Sequence, residues 1–177
     1  MTSERTYGYT VTKSADLGLA ARRLVFGKLL NAGQVCLSHN YTLLHRHLYP
    51  EFIESLTNAL NEMYPGGAKS SKYFGRIVNK RNITRIKDML NQSKGKILVG
   101  GDIDEDKLFV EPTVVLVENS DDSLMAEESF GPLMPILLVD STEEAISIAN
   151  MVDSSPLALS VFGDNEDVSK GMFYYLS

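Results

Sequence analysis

The sequence predicts an α/β domain built on a mainly parallel sheet with helices on its faces. Three observations carry that expectation. Apolar residues recur at three- and four-residue spacing in some stretches and as short β-branched runs in others, as two alternating element types require. Helical stretches separate two of the four successive pairs of extended ones, and parallel strands need such crossovers because a tight hairpin cannot join them. The 177 residues, 44% of them hydrophobic, suffice for one core and are too few for two comfortable ones.

Residues 1–14 carry no clear period and read as an irregular N-terminal segment ahead of a domain spanning 15–177. From Ala15 to about Leu30, the residues Leu17, Ala20, Ala21, Leu24, Val25 and Leu29 mark one face of an amphipathic helix. That helix points into Asn31-Ala32-Gly33-Gln34-Val35-Cys36. Tyr41, Leu43 and Leu44 suggest a short strand. A second helix begins near Pro50, a favoured first-turn residue, and Tyr64-Pro65-Gly66-Gly67 stops it. A third, with Ile83, Ile86, Met89 and Leu90 inward, spans roughly Lys80 to Gln92. Lys96-Ile97-Leu98-Val99 reads as a strand closed by Gly100-Gly101. Those glycines could suggest a phosphate loop, but Asp102, Asp104, Glu105 and Asp106 follow at once and would repel phosphate, so they are read as a turn.

Leu108 to Val117 is extended, with Pro112 marking an edge or bulge position. Pro135 to Val139 is a short apolar run of the kind found in buried strands. Ser141-Thr142-Glu143-Glu144 has the spacing of a capping box, and the helix it opens runs through Ile146, Ile148 and Ala149. Leu157 to Phe162 is the last strand, turned away by Gly163-Asp164-Asn165. Met172, Phe173, Tyr174, Tyr175 and Leu176 then form an apolar terminal cluster that reads as the end of an incomplete domain.

Composition narrows the function. A net charge of -6 and a pI near 5.1 supply no basic field for nucleic acid or an anionic membrane surface. A single cysteine cannot form an internal disulfide, which suits a reducing compartment. No apolar run approaches the roughly 18 residues of a membrane span. A soluble, intracellular chain is the expectation.

Cys36 is the residue of chemical interest. On spacing alone, a cysteine between Val35 and Leu37 is more often a small buried hydrophobe than a nucleophile. Gly33 relaxes the backbone before it, however, and the thiol falls at a helix-to-strand junction where a side chain can be held rigidly and still meet a ligand. A nucleophilic thiol works as its thiolate and needs a lowered pKa or a base. His39, His45 and His47 are nearby in sequence, but the spacing C-x2-H-x5-H-x-H matches no common zinc pattern, so no metal is expected. A Cys-His hydrolase normally draws its histidine from a distant segment, and no histidine follows residue 47. Surface or strand-end histidines are the plainer reading.

Three motifs in order carry a family resemblance: NAGQVC (31–36), EESFGPLMPI (127–136) and PLALSVF (156–162). Together, across about Ala15 to Asp164, they resemble the catalytic domain of an aldehyde dehydrogenase, and of the fatty aldehyde, class 3-like branch in particular. The resemblance implies that Cys36 attacks an aldehyde carbonyl, and that the thiohemiacetal loses hydride to NAD or NADP and becomes a thioester that water releases as the acid. It implies that the Cys36 backbone N–H is one donor to the developing oxyanion. It also implies that Glu128 accepts from the nicotinamide ribose hydroxyls, that Phe130 positions the ring, and that Gly131 and Pro132 shape their turn. Read without the family, Glu127 and Glu128 would be a solvated acidic pair and Phe130 a core anchor.

The departures bear on activity. The family's general base is a glutamate in a Glu-Leu-Gly-Gly-Lys-type motif before the cysteine, and here that region reads only TVTKSADLGLA. No Gly-x-Gly-x-x-Gly occurs, so the usual strand-turn-helix device for a dinucleotide is not in this sequence. The resemblance therefore implies an aldehyde substrate, a cofactor held mostly outside this chain, and either a homo-oligomer or complementing segments of the same enzyme as partners. It leaves room for membrane association of full-length relatives. Two function classes stay open: the thiol-bearing part of an aldehyde dehydrogenase, inactive when isolated, and a non-catalytic remnant or interaction module that keeps the fold. A thiol hydrolase is an outsider.

Overall fold

Two strands, β2 (Tyr41–His45) and β7 (Leu133–Val139), form the centre of a six-stranded sheet in the computed structural model, which describes residues 7–153, 157–166 and 168–169. The remaining strands are β1 (Tyr7–Val11), β3 (Lys96–Val99), β6 (Thr113–Val117) and β8 (Ala158–Phe162), in the order β3-β6-β7-β2-β1-β8. Every neighbouring pair is parallel except β3 with β6. A separate antiparallel pair, β4 (Ile103–Asp104) and β5 (Phe109–Val110), forms a small second sheet. The mainly parallel α/β architecture expected from the sequence is the one observed.

The helices are α1 (Leu17–Leu29), α2 (Tyr49–Met63), α3 (Lys80–Gln92), α4 (Ser123–Ala126) and α5 (Thr142–Val152). Their starts have local causes. Asp16 accepts from Leu19 N at 2.9 Å, Asn79 from Asn82 N at 2.9 Å, and Ser141 from Glu144 N at 3.1 Å, each satisfying a first-turn donor with no partner inside its helix. The Glu144 carboxylate reaches back to Asp140 N at 2.6 Å, one residue earlier than a strict capping box would have it. In α1 the apolar stripe buries Ala20, Ala21, Leu24, Val25 and Leu29, and α1 packs against α2. Pro112 does interrupt the 108–117 stretch, dividing it into β5 and β6.

Residues 7–11, part of the segment read as irregular, are a strand between β2 and β8. Its period is hidden because Gly8, Tyr9, Thr10 and Val11 are all buried, and an interior parallel strand covered on both faces has no reason to alternate. The start of β7 was also hidden, two residues before Pro135, where Leu133 pairs with Thr113. The terminal cluster 172–176 and Pro156 of the third motif lie outside the described residues.

Candidate active site

The chain leaves α1 through a short 3₁₀ turn, Leu30–Gly33, whose backbone is unusual. Asn31, Ala32 and Gly33 take φ of 51°, 54° and 79°, three successive residues in the left-handed region. The run turns the chain sharply, and Cys36 emerges on the bend that follows, exposed. Gln34 fixes the far side of the bend. Its Nε2 donates to Asn31 O and Arg76 O, both at 3.0 Å, and its Oε1 accepts from Val78 N at 2.9 Å.

Glu128 and Phe130 sit on the loop between α4 and β7. Glu128 is 8% exposed, not the solvated residue that an acidic pair suggests, while its neighbour Glu127 faces solvent. Phe130 is 37% exposed with φ of 41°, so it is not a core anchor either. The loop is held from three sides. Arg85 of α3 donates to Glu128 O at 3.0 Å and to Ser129 O, with its guanidinium 3.7 Å from the Glu127 carboxylate. Asn40 donates to Glu127 O at 3.3 Å and accepts from Ser129 N at 3.2 Å. Lys28 Nζ donates to Ser129 Oγ at 3.2 Å from below.

The two motifs meet backbone to backbone. A Cβ on Gly33 would lie 2.3 Å from Gly131 O and 3.1 Å from Pro132 N, so only glycine permits this approach. A Cβ on Gly131 would lie 2.6 Å from Ile86 Cδ1, which wedges the loop against α3. Beside this junction a cleft of about 350 Å³ is lined by Gln34, Val78, Asn82, Arg85, Glu127, Glu128 and Phe130. Its lining takes in both proposed cofactor residues and Gln34, two positions from the thiol, but not Cys36.

Electrostatics set the layer beneath. Burial pushes the Lys28 ammonium down to about 7, with the Glu128 charge acting in the opposite direction. Burial, and then the Lys28 charge, push His39 down to about 3, so its imidazole is neutral near pH 7. His39 meets the Tyr9 ring edge-on at 4.6 Å and lies against Gly27, where a Cβ would come within 2.3 Å of its Cε1. The expectation of surface or strand-end histidines thus fails for His39, which is buried because the chain turns inward before β2. His45 and His47 stack on each other at 5.4 Å at the end of β2. Among the described residues, no group of three His, Cys, Asp or Glu side chains is placed to hold a metal, and no helix is long and apolar enough to cross a membrane.

Sequence reasoning passed over Lys28, Asn40, Arg85 and Ser129. Only Lys28 left a signal: it falls on the stripe of Ala21, Leu24, Val25 and Leu29, where a charged residue has no place unless it is paired.

Residues 8–173 match the model of the aldehyde dehydrogenase family. A beta-apo-4'-carotenal oxygenase of Neurospora crassa is 54% identical over 90% of this chain and 30% of its own length. The 4,4'-diaponeurosporen-aldehyde dehydrogenase of Staphylococcus aureus is 36% identical over 94% of this chain and 36% of its own. A rat aldehyde dehydrogenase family 3 member A2 is 33% identical over 90% and 32%. Among solved structures, a substrate-bound Staphylococcus aureus AldH superposes with a TM-score of 0.90 at 33% identity, covering 96% of this chain and 37% of that one. A 3,6-anhydro-L-galactose dehydrogenase in complex with NAP superposes at 0.82 and 26% identity, over 97% and 38%. The chain spans about a third of the length of these relatives. By sequence and by fold, the chain belongs to the aldehyde dehydrogenase family of NAD(P)-using oxidoreductases.

Proposed function

We propose that these residues are the thiol-bearing part of an enzyme that oxidises aldehydes to carboxylic acids with NAD or NADP. The observation that carries this reading is the Gly33–Gly131 approach, which sets the turn leading to Cys36 against the loop of Glu128 and Phe130. Cys36 is the nucleophile: its thiolate adds to the aldehyde carbon, and its own backbone N–H donates to the oxyanion that forms. The resulting thiohemiacetal gives up hydride and leaves a thioester on Cys36, which water cleaves to the acid and the free thiol.

The cleft suits a dinucleotide's nicotinamide end, since it combines a carboxylate able to accept from paired hydroxyls with the face of a half-exposed aromatic ring. When bound, the cofactor supplies the hydride acceptor. Glu128 holds the ribose, Phe130 sets the plane of the ring, and Asn82 and Arg85 line the approach. For the substrate, the apocarotenal and diaponeurosporenal relatives suggest a long apolar aldehyde.

The 177 residues alone should not turn over. Hydride transfer needs the cofactor held beside the thiohemiacetal, and that proximity contributes roughly 7–11 kcal/mol in well-oriented reactions. Thioester hydrolysis needs a base, worth a factor of about 10²–10⁴. The test measures NAD(P)H absorbance with a long-chain aldehyde, for the chain alone and for the chain joined to the remaining segments of its Staphylococcus aureus relative, each beside Cys36→Ala. Activity of the joined protein that disappears in Cys36→Ala is the expected result. A joined protein that folds and never oxidises an aldehyde would favour the non-catalytic remnant, and turnover by the chain alone would mean that a cofactor site has been missed.

A further inference from the structure

A lysine lies buried beneath the loop that carries Glu128. Lys28 is on the core-facing stripe of α1 and is 1% exposed, yet its chain ends in a donor. Nζ reaches Ser129 Oγ at 3.2 Å, and Ser129 Oγ in turn donates to Gly131 O at 3.2 Å, the carbonyl that faces Gly33. The Glu128 carboxylate, 8% exposed, is close enough to favour the charged lysine. A buried ammonium and a buried carboxylate each cost much to desolvate, so the contacts that hold them, Lys28 Nζ to Ser129 Oγ above all, bear on where the turn stands.

We propose that Lys28 is a positioning residue: through Ser129 Oγ and the charge of Glu128 it sets where the turn Glu128–Gly131 stands, and so where the Glu128 carboxylate meets the cleft. The inference deepens the cofactor reading of Glu128 and rests on it for its consequence, although the coupling between Lys28 and the turn stands independently of any cofactor. Burial brings Lys28 down to about 7, so the charge beneath the turn, and with it the surroundings of the turn amides, should change across neutral pH.

The other groups around Lys28 do not duplicate this behaviour. His39, from the segment after Cys36, stays neutral until far below pH 7 and meets Tyr9 of β1 on another side. Ser38 donates to the Lys28 backbone carbonyl at 3.3 Å and carries no charge. Arg85 grips the loop from α3 through the carbonyls of Glu128 and Ser129, apart from Lys28's contact with the Ser129 hydroxyl. Glu127, paired with Arg85, points outward. Lys28 and Glu128 are thus the two groups whose charges answer to each other under the turn.

The test is a pH titration of the chain by nuclear magnetic resonance, with ¹³Cε-lysine and ¹⁵N labels. One lysine should titrate near pH 7, well below the ordinary lysine value of 10.5, and its signal should vanish in Lys28→Met. The amide signals of Ser129 and Phe130 should move with that same midpoint in the wild type and stay flat in Lys28→Met. Glu128→Gln should lower the lysine midpoint by about one further unit. If Lys28→Met does not fold, wild type, Glu128→Gln and Ser129→Ala decide the matter, because Ser129→Ala should weaken the amide response while leaving the lysine buried. A lysine that titrates with the surface ones, or turn amides flat through its midpoint, would overturn the proposal. The cofactor reading is judged separately, by whether Glu128→Gln raises the KM for NAD(P) in the joined protein. An unchanged KM together with a titrating turn would reject that reading and leave the Lys28 coupling standing.

Discussion

Gly33 and Gly131 face each other so closely that a single methyl on Gly33 would lie 2.3 Å from the Gly131 carbonyl oxygen. Ninety-eight residues apart in sequence, they join the turn that presents Cys36 to the loop that carries Glu128 and Phe130. Gly33→Ala meets two penalties: an L-residue at φ of 79°, costing about 1–2 kcal/mol, and a backbone clash that only movement of the loop can relieve. The expected loss is at least about 2 kcal/mol in a urea titration, together with an altered rate of Cys36 modification. A variant as stable as wild type, with unchanged thiol reactivity, would show that the junction yields easily and does not define the site.

Cys36 should react with a soluble thiol reagent in the native protein. Its exposure comes from the left-handed run at Asn31, Ala32 and Gly33, which throws the next residues outward in place of continuing α1. Thiolate access governs the rate, so denaturant should accelerate labelling little. A large acceleration on unfolding would mean that the thiol is protected in solution and would remove the support its exposure lends to a nucleophilic role.

The elements that could be read in the sequence are the helices with one face to the core and the buried strands whose residues make plain apolar runs, β2 and β7. α1, α2 and α3 kept their spacing because water lies on the other side of each, and the capped start of α5 is local chemistry. β1 could not be read, since burial of Tyr9, Thr10 and Val11 alike erases alternation. At the site, Gly33 was recognisable as a backbone device and Cys36 as a junction residue. The depth of Glu128 was not, because its burial depends on Lys28, Asn40 and Arg85 arriving from three distant segments. His39 was misjudged for the same reason: what buries it is Gly27 of α1 and Tyr9 of β1, and neither lies beside it in sequence.

Acid should destabilise the fold partly through His39. Its folded pKa of about 3 lies below the unfolded value of 6.5, so between these limits the unfolded chain binds a proton that the native imidazole does not. Stability from this residue is complete above pH 6.5 and declines as pH falls toward 3. Lys28 has its own window. Its folded pKa of about 7 lies below the unfolded 10.5, so stability from Lys28 rises with pH across that range. Urea midpoints measured against pH for wild type and His39→Phe should differ in slope only below about pH 6.5, the variant being flatter. Parallel profiles in that region would place the His39 proton in solvent.

Gln34 should act as a local clamp more than as a stabiliser of the whole fold. Its side chain makes three hydrogen bonds, to Asn31 O and Arg76 O as donor and from Val78 N as acceptor, and spans the gap between the cysteine turn and the segment leading into α3. Those groups are near solvent, so water replaces much of what is lost, and Gln34→Ala should cost only about 1–2 kcal/mol globally. Locally the effect should be larger. Val78 N loses its acceptor, and the wall of the cleft formed by Gln34 and Val78 loses its tie. Amide exchange at Val78 should therefore accelerate well beyond what the global loss accounts for, while amides in β2 and β7 slow or quicken only with overall stability. If Val78 exchanges no faster than those core amides predict, the segment is held by something other than Gln34, and the cleft wall does not depend on the residue that leads into Cys36.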